Sequence, residues 1–179
     1  MKKQTKTRNQ QPTIRKGLSE KELDLISNLE LKNQYFFTNQ DIKSFFKNDN
    51  ERKVYIHRLK KKGRIIKLNQ KKYFLIPIKA VKGNWSEHPF ALIDEIMNGK
   101  DYCVVGKASA NYWKLIDQIP LVYEVWNTKK HKRIEVFNSI LDFKKHKKRD
   151  IPILVEREVY NHKFLIATKE ESKKWRSWI

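Results

Sequence analysis

The stretch VYIHRLKKKGRIIKLNQKKYFLIP, residues 54 to 77, changes period in its middle, and that change constrains the fold more than any other feature of the chain. Before Gly63 the apolar residues recur at helical spacing. After it come two short β-branched and aromatic runs, RIIKL and KYFLIP, divided by polar residues. Side chains repeat every 3.6 residues along a helix and every two along a strand, so the switch predicts a helix that stops and a β-hairpin that follows. Gly63 stands where a left-handed C-terminal cap belongs, and Pro77 ends the second strand.

Upstream, the spacing predicts two more helices. LSEKELDLISNLEL, from residue 18, has Ser19 as N-cap and Glu22 three residues on, the capping-box spacing, with Leu23, Leu25, Ile26 and Leu29 as its apolar face. FFTNQDIKSFFKN reads as a second helix, capped by Thr38 and Asp41, with Ile42, Phe45 and Phe46 turned inward. Asp49 then caps the third, NERKVYIHRLKKK, whose inward positions are Ile56 and Leu59 with Val54 beside them. Three short helices followed by a hairpin is the order of a winged helix-turn-helix module over residues 18 to 77.

Charge points to the partner. The chain of 179 residues carries 40 Lys and Arg against 20 Asp and Glu, a formal net charge of +20. Such a balance favours a polyanion, either nucleic acid or an anionic surface, over a solvated lysine-rich exterior. Residues 1–77 hold 20 basic and 7 acidic residues, net +13, while residues 78–179 hold 20 and 13, net +7. Residues 1–17, with six basic residues and no acidic one, read as a disordered basic arm.

The remainder reads as α+β. A linker spans residues 78–86, with Gly83 and Asn84 breaking the pattern, and a second domain is expected from 87 to 179. It should hold a helix from Pro89 to Met97, a buried strand YCVVG, a helix KASANYWKLID and a hairpin made of LVYEVWN and RIEVFN around TKKHK. A basic turn FKKHKKRD, two strand-like runs (PILVERE and HKFLIA) and a last helix through Trp175 follow. Trp113 and Trp126 are expected in the core, and Trp175 and Trp178 on a terminal helix or against a partner.

A helix fits the major groove of duplex DNA, its early residues at base edges and its later ones at phosphates. On the third helix that makes Arg52, Lys53 and His57 candidate base readers, with Tyr55 adding a contact or packing beneath the hairpin, and Lys60, Lys61 and Lys62 suited to phosphate. Asn69, Gln70, Lys71 and Lys72 form the hairpin tip, where a wing grips backbone or minor groove.

The sequence carries no catalytic signature. Asp101 and Glu124 suggest a metal-dependent nuclease, but that chemistry wants a Lys two residues after the Glu, and position 126 is Trp. The five histidines lack metal-ligand spacing, the five glycines build no phosphate loop, and no cofactor is implied. Cys103, the single cysteine, reads as a buried thiol in a reducing compartment. No apolar run reaches the length of a membrane span, so a cytoplasmic protein without a membrane partner is expected.

YIHRLKKKGRIIKLNQKKYFLIP resembles the end of the winged helix in AbiEi-type antitoxins of abortive-infection (type IV) toxin–antitoxin systems. YCVVGKASANYWKLIDQIPLVYEVWNTKKHKRIEVFNSILDFKKH resembles the opening of their second domain, with its QIP turn and TKK tip. The resemblance covers about residues 20–150. It implies a transcriptional repressor that binds inverted repeats in its own promoter as double-stranded DNA. It also implies a second domain that counters a nucleotidyltransferase-like toxin without a stable complex. The alternative is an RNA- or protein-binding accessory factor in which the winged helix is only scaffold.

Overall fold

The structure, a computed structural model, describes residues 17–80, 87–136 and 138–175. The chain divides into two compact units, Met1–Trp85 and Ser86–Ile179. Both mix helices and strands, so the fold is α+β, with five α-helices and two sheets among the described residues. The expected basic arm falls almost wholly outside the described residues, as does most of the expected linker, with Gly83 and Asn84.

In the first unit, helix α1 (Glu20–Leu31) begins with the expected capping box: Ser19 and Glu22 exchange backbone-to-side-chain hydrogen bonds. Leu25, Ile26 and Leu29 are buried, but Leu23 is not; it lies 40 % exposed on the outer face. The buried position of the first turn is instead Glu22, 1 % exposed and ion-paired with Lys62. Burial works most strongly against its ionisation. The Lys62 ammonium and the Ser19 donors outweigh it together, holding the carboxyl below its ordinary range.

The expected second helix does not form. Its residues make strand β1 (Phe36–Thr38), a turn, and a single 3-10 turn at Lys43–Phe45. The Thr38/Asp41 pair that reads as a capping box closes the turn: Thr38 donates its N–H (2.6 Å) and its hydroxyl (2.8 Å) to Asp41. The apolar residues of the segment then serve different partners. Phe37 and Ile42 enter the core, whereas Phe45 and Phe46 pack half-buried at its margin.

Helix α2 (Asp49–Lys61) is capped one residue earlier than expected, by Asn48, whose side chain accepts from the Glu51 N–H at 2.9 Å. Ile56 and Leu59 are buried, while Val54 is 47 % exposed. The helix ends in a Schellman arrangement: Gly63 at φ +68° donates to the Lys60 carbonyl, and Arg64 donates to that of Leu59. Strands β2 (Ile65–Lys67) and β3 (Lys72–Leu75) form the expected hairpin, and β1 pairs antiparallel on the other side of β3. The core joins α1, α2 and this sheet through Leu25, Ile26, Leu29, Ile56, Leu59 and Leu75.

The second unit holds helix α3 (Pro89–Met97), β4 (Tyr102–Val105), α4 (Gly106–Tyr112), β5 (Val122–Asn127), β6 (Lys132–Val136), β7 (Ser139–Lys145), β8 (Leu154–Val159), β9 (His162–Ala167) and α5 (Lys169–Lys173). The strands lie in the order β6-β7-β5-β4-β9-β8. Several boundaries differ from expectation. The helix expected over 107–117 stops at Tyr112, and the last helix stops at Lys173. β5 and β6 are no hairpin, because β7 lies between them, parallel to β5 and antiparallel to β6. The first half of the expected basic turn therefore belongs to a strand, with Leu141 and Phe143 facing the core between outward polar residues. Trp113, Trp126 and Trp175 are half-buried, and Trp85 and Trp178 lie outside the described residues. Cys103 is buried, and burial pushes its thiol up to about 12. Among the described residues no helix is long and apolar enough to cross a membrane.

Candidate nucleic-acid interface

Helix α2 decides which of its side chains meet solvent by a simple rotation rule. Ile56 and Leu59 are the buried pair, and Arg52 precedes them by four and seven residues, so it falls on the same stripe. Its side chain is accordingly only 12 % exposed and is tied to Asp49 at 2.9 Å. Lys62, just past the helix end, also turns inward: its ammonium pairs with Glu22 and donates to the Gly17 carbonyl at 2.8 Å. Tyr55 takes a flanking position, half-buried, its ring 5.4 Å from that of Phe46. The Lys21 ammonium lies 5.5 Å from the Tyr55 ring and the Arg58 guanidinium 5.5 Å from it. Of the two expected roles for Tyr55, packing is observed, against Phe46.

Lys53, His57, Lys60 and Lys61 are all exposed; His57 and Lys61 point away from the buried pair, and Lys53 and Lys60 flank it. Three further exposed residues of the helix, Asn50, Val54 and Arg58, escape the reading of the sequence. Their signal is there, because Asn50, Lys53, Val54, His57, Arg58 and Lys61 recur at three- and four-residue steps. The outward face thus combines cations, an imidazole, an amide and one apolar side chain, the donor and methyl chemistry that base edges in a major groove can meet. Thirteen residues give a helix about 20 Å long and about 10–12 Å across with its side chains. The major groove is about 12 Å wide.

The acidic residues near this helix do not compete with that face. Asp49 is engaged by Arg52, and Glu51 is held by Lys21 at 2.7 Å and by the Lys47 N–H at 2.8 Å. The hydrogen bond from Lys21, foremost, keeps the Glu51 carboxyl below its ordinary range, so it stays an anion already matched. A cavity of about 460 Å³ beside the helix N-terminus is lined by Lys43, Lys47, Asn48 and Arg52 among others.

At the hairpin tip, Asn69 accepts from the N–H groups of Lys71 and Lys72, both at 2.9 Å, which fixes the turn. Gln70 and Lys71 are exposed; Asn69 and Lys72 are half-buried. Asn69 therefore shapes the tip, and the exposed side chains there are Gln70 and Lys71. The two carboxylates weighed for a nuclease are both occupied: Glu124 by the Trp126 indole N–H (2.6 Å) and Lys144 (3.0 Å), Asp101 by Lys129 (2.8 Å). Among the described residues no group of three or more His, Cys, Asp or Glu is placed to hold a metal ion.

No family model matches the chain, and no curated protein matches it.

Proposed function

We propose that this protein is a sequence-specific DNA-binding transcriptional repressor whose first unit is a winged helix, with α2 as the recognition helix and β2–β3 as the wing. The single observation that carries the reading is the sorting of cations on α2: Arg52 and Lys62 are spent on the fold, while Lys53, His57, Lys60 and Lys61 stay exposed. Supporting it is the order α1, β1, 3-10 turn, α2, hairpin, in which the 3-10 turn occupies the place of the middle helix and β1 extends the wing sheet. Phosphate contacts from Lys60, Lys61 and the wing supply affinity; Lys53 and His57, with Asn50 and Val54, supply base preference. The resemblance of residues 20–150 to AbiEi-type antitoxins extends the proposal to autoregulation of an operon and to functional antagonism of a nucleotidyltransferase-like toxin.

The test is fluorescence anisotropy with duplex DNA from immediately upstream of the gene, against a scrambled duplex of equal length, over a salt series. A preference for the upstream duplex that survives at ~150 mM salt, where non-specific binding weakens steeply, is the expected result. Lys53→Ala and His57→Ala should each relax that preference by about 1–3 kcal/mol for every base edge no longer read. Equal affinity for both duplexes that vanishes with salt would end the repressor reading.

A further inference from the structure

The second unit contains a cationic cavity that the repressor reading does not use. β5 and β7 run parallel in adjacent positions, with Trp126 opposite Lys144 and Asn127 opposite Lys145, so their C-terminal ends emerge on one edge of the sheet. A cavity of about 610 Å³ opens there, lined by Thr128, Lys145, His146, Lys147 and Lys148. That is within the size range of ligand pockets, about 300–1,000 Å³.

Its walls are built. Asn127 is fully buried and donates to the carbonyls of Lys130 (3.0 Å) and Lys144 (3.1 Å), while its side-chain oxygen accepts from the N–H groups of Lys129 (3.0 Å) and Lys130 (2.7 Å). The His146 N–H adds a bond to the Asn127 backbone carbonyl at 2.8 Å. One residue thus staples the β5–β6 loop to the segment leaving β7. The nearby acids have basic partners, Glu124 in Lys144, Asp101 in Lys129 and Asp150 in Arg149, whereas Lys145, Lys147 and Lys148 are exposed.

The aromatic floor is the second independent feature. The His146 imidazole stacks on the Trp126 indole with ring centroids 4.1 Å apart and planes 18° from parallel. Trp126 is held from behind by Glu124 at 2.6 Å and by the Trp175 ring, edge-on at 6.2 Å. His146 thus both lines the cavity and lies on the indole, a half-buried ring at the edge of the open space. A cationic groove with an aromatic platform is the chemistry that holds unpaired nucleotides, phosphates on the cations and a base on the ring. A duplex keeps its bases stacked on one another and cannot use that platform.

We propose that this cavity binds single-stranded nucleic acid, with Lys145, Lys147 and Lys148 on the phosphodiester backbone and His146, backed by Trp126, stacking one unpaired base. The site is independent of α2 and of the repressor reading. The experiment is anisotropy with a short fluorescein-labelled single strand of mixed sequence, as DNA and as RNA, and with the matching duplex, using the full chain. His146→Ala should weaken single-strand binding by about 5- to 150-fold, the worth of one stacked base, and leave duplex binding unchanged. His146→Phe, which keeps a ring on Trp126, should restore it. Changing the three lysines to Gln should flatten the single-strand salt slope by about 2, at about 0.7 per phosphate. Lys53→Gln with Lys60→Gln on α2 should spare single-strand affinity while lowering duplex affinity, so a failure of either proposal is seen separately. Single-strand affinity indifferent to His146→Ala, or a loss shared equally by single strand and duplex, would overturn the inference.

Discussion

Lys61 and Lys62 are adjacent and chemically identical, yet the structure gives them opposite tasks, and replacing each by Met separates stability from binding. Lys62 reaches the buried carboxylate of Glu22; its own side chain is 17 % exposed against 1 % for its partner. Lys62→Met keeps the aliphatic stem and strips the ammonium, leaving a buried anion held mainly by the Ser19 N–H at 2.7 Å. Removing one partner of a fully buried pair costs about 3–5 kcal/mol. Because Lys62 retains some water and Ser19 still donates, the expected cost falls to about 2–3 kcal/mol. For a unit of this size about 4–8 °C accompanies each kcal/mol, so its melting midpoint should fall by about 10–20 °C. Lys61→Met, on the exposed face, should stay within about 0.5 kcal/mol.

Hydrogen exchange resolved on peptides from residues 18–80 reads the opening free energy of this unit without interference from the other. Duplex binding, measured well below the melting midpoint, should show the converse. Lys61→Met should reduce the salt slope by about 0.9, because one phosphate is no longer neutralised, and Lys62→Met should leave it unchanged. If Lys62→Met opens no more easily than Lys61→Met, the ion pair does not hold α1 to the end of α2. If instead Lys62→Met reduces the salt slope like Lys61→Met, the sorting of cations on α2 is wrong.

The same carboxylate predicts a pH effect. Glu22 titrates below its ordinary value in the folded chain, so its contribution is present above the ordinary carboxylate range and is lost as pH falls through the lowered value. Acid denaturation of the first unit should therefore be shallower in Lys62→Met than in the parent. Gly63→Ala forces a Cβ into the left-handed region at φ +68° and should cost about 1–2 kcal/mol by urea denaturation. Asn127→Ala removes four side-chain hydrogen bonds from a buried position, and should destabilise by about 2 kcal/mol while admitting protease at residues 128–131. Cys103, buried with its thiol pushed up to about 12, should resist aromatic disulfide reagents at mildly alkaline pH and react fully once the chain is unfolded in urea.

Local chemistry is what the sequence makes legible. The Ser19/Glu22 box, the glycine at position 63 and the polar tip at Asn69 each depend on residues within four positions, and each does what its spacing suggests. The segment after Phe36 misleads because Thr38 and Asp41 have capping-box spacing whether a helix or a turn follows. Only the distant pairing of Phe36, Phe37 and Thr38 with β3 settles the matter. β7 is hidden for a similar reason. Its core positions, Leu141 and Phe143, alternate at the edge of a lysine-rich run, and its parallel pairing with β5 on the side away from β6 is a distant contact. Arg52 is removed from the candidate readers by counting four and seven residues to Ile56 and Leu59, a step that needs only the sequence.

A net charge of +20 counts every cation alike, but a cation can meet phosphate only if the fold has not already used it. Lys21, Arg52 and Lys62 tie the first unit together, and Lys129 and Lys144 are matched to Asp101 and Glu124 in the second. Lys130 is likewise drawn inward, donating to the Ile96 carbonyl at 3.2 Å, and burial lowers its pKa. Subtracting such residues leaves two surfaces of different shape. One is the convex outer face of α2, which suits the groove of a duplex. The other is the open basic pocket of the second unit, with a stacked imidazole among its lining residues, and it suits a base that has left its stack. A purely electrostatic attraction would give both surfaces the same ligand preference. Shape predicts that mutation of one should alter duplex affinity and mutation of the other single-strand affinity, at equal change in net charge.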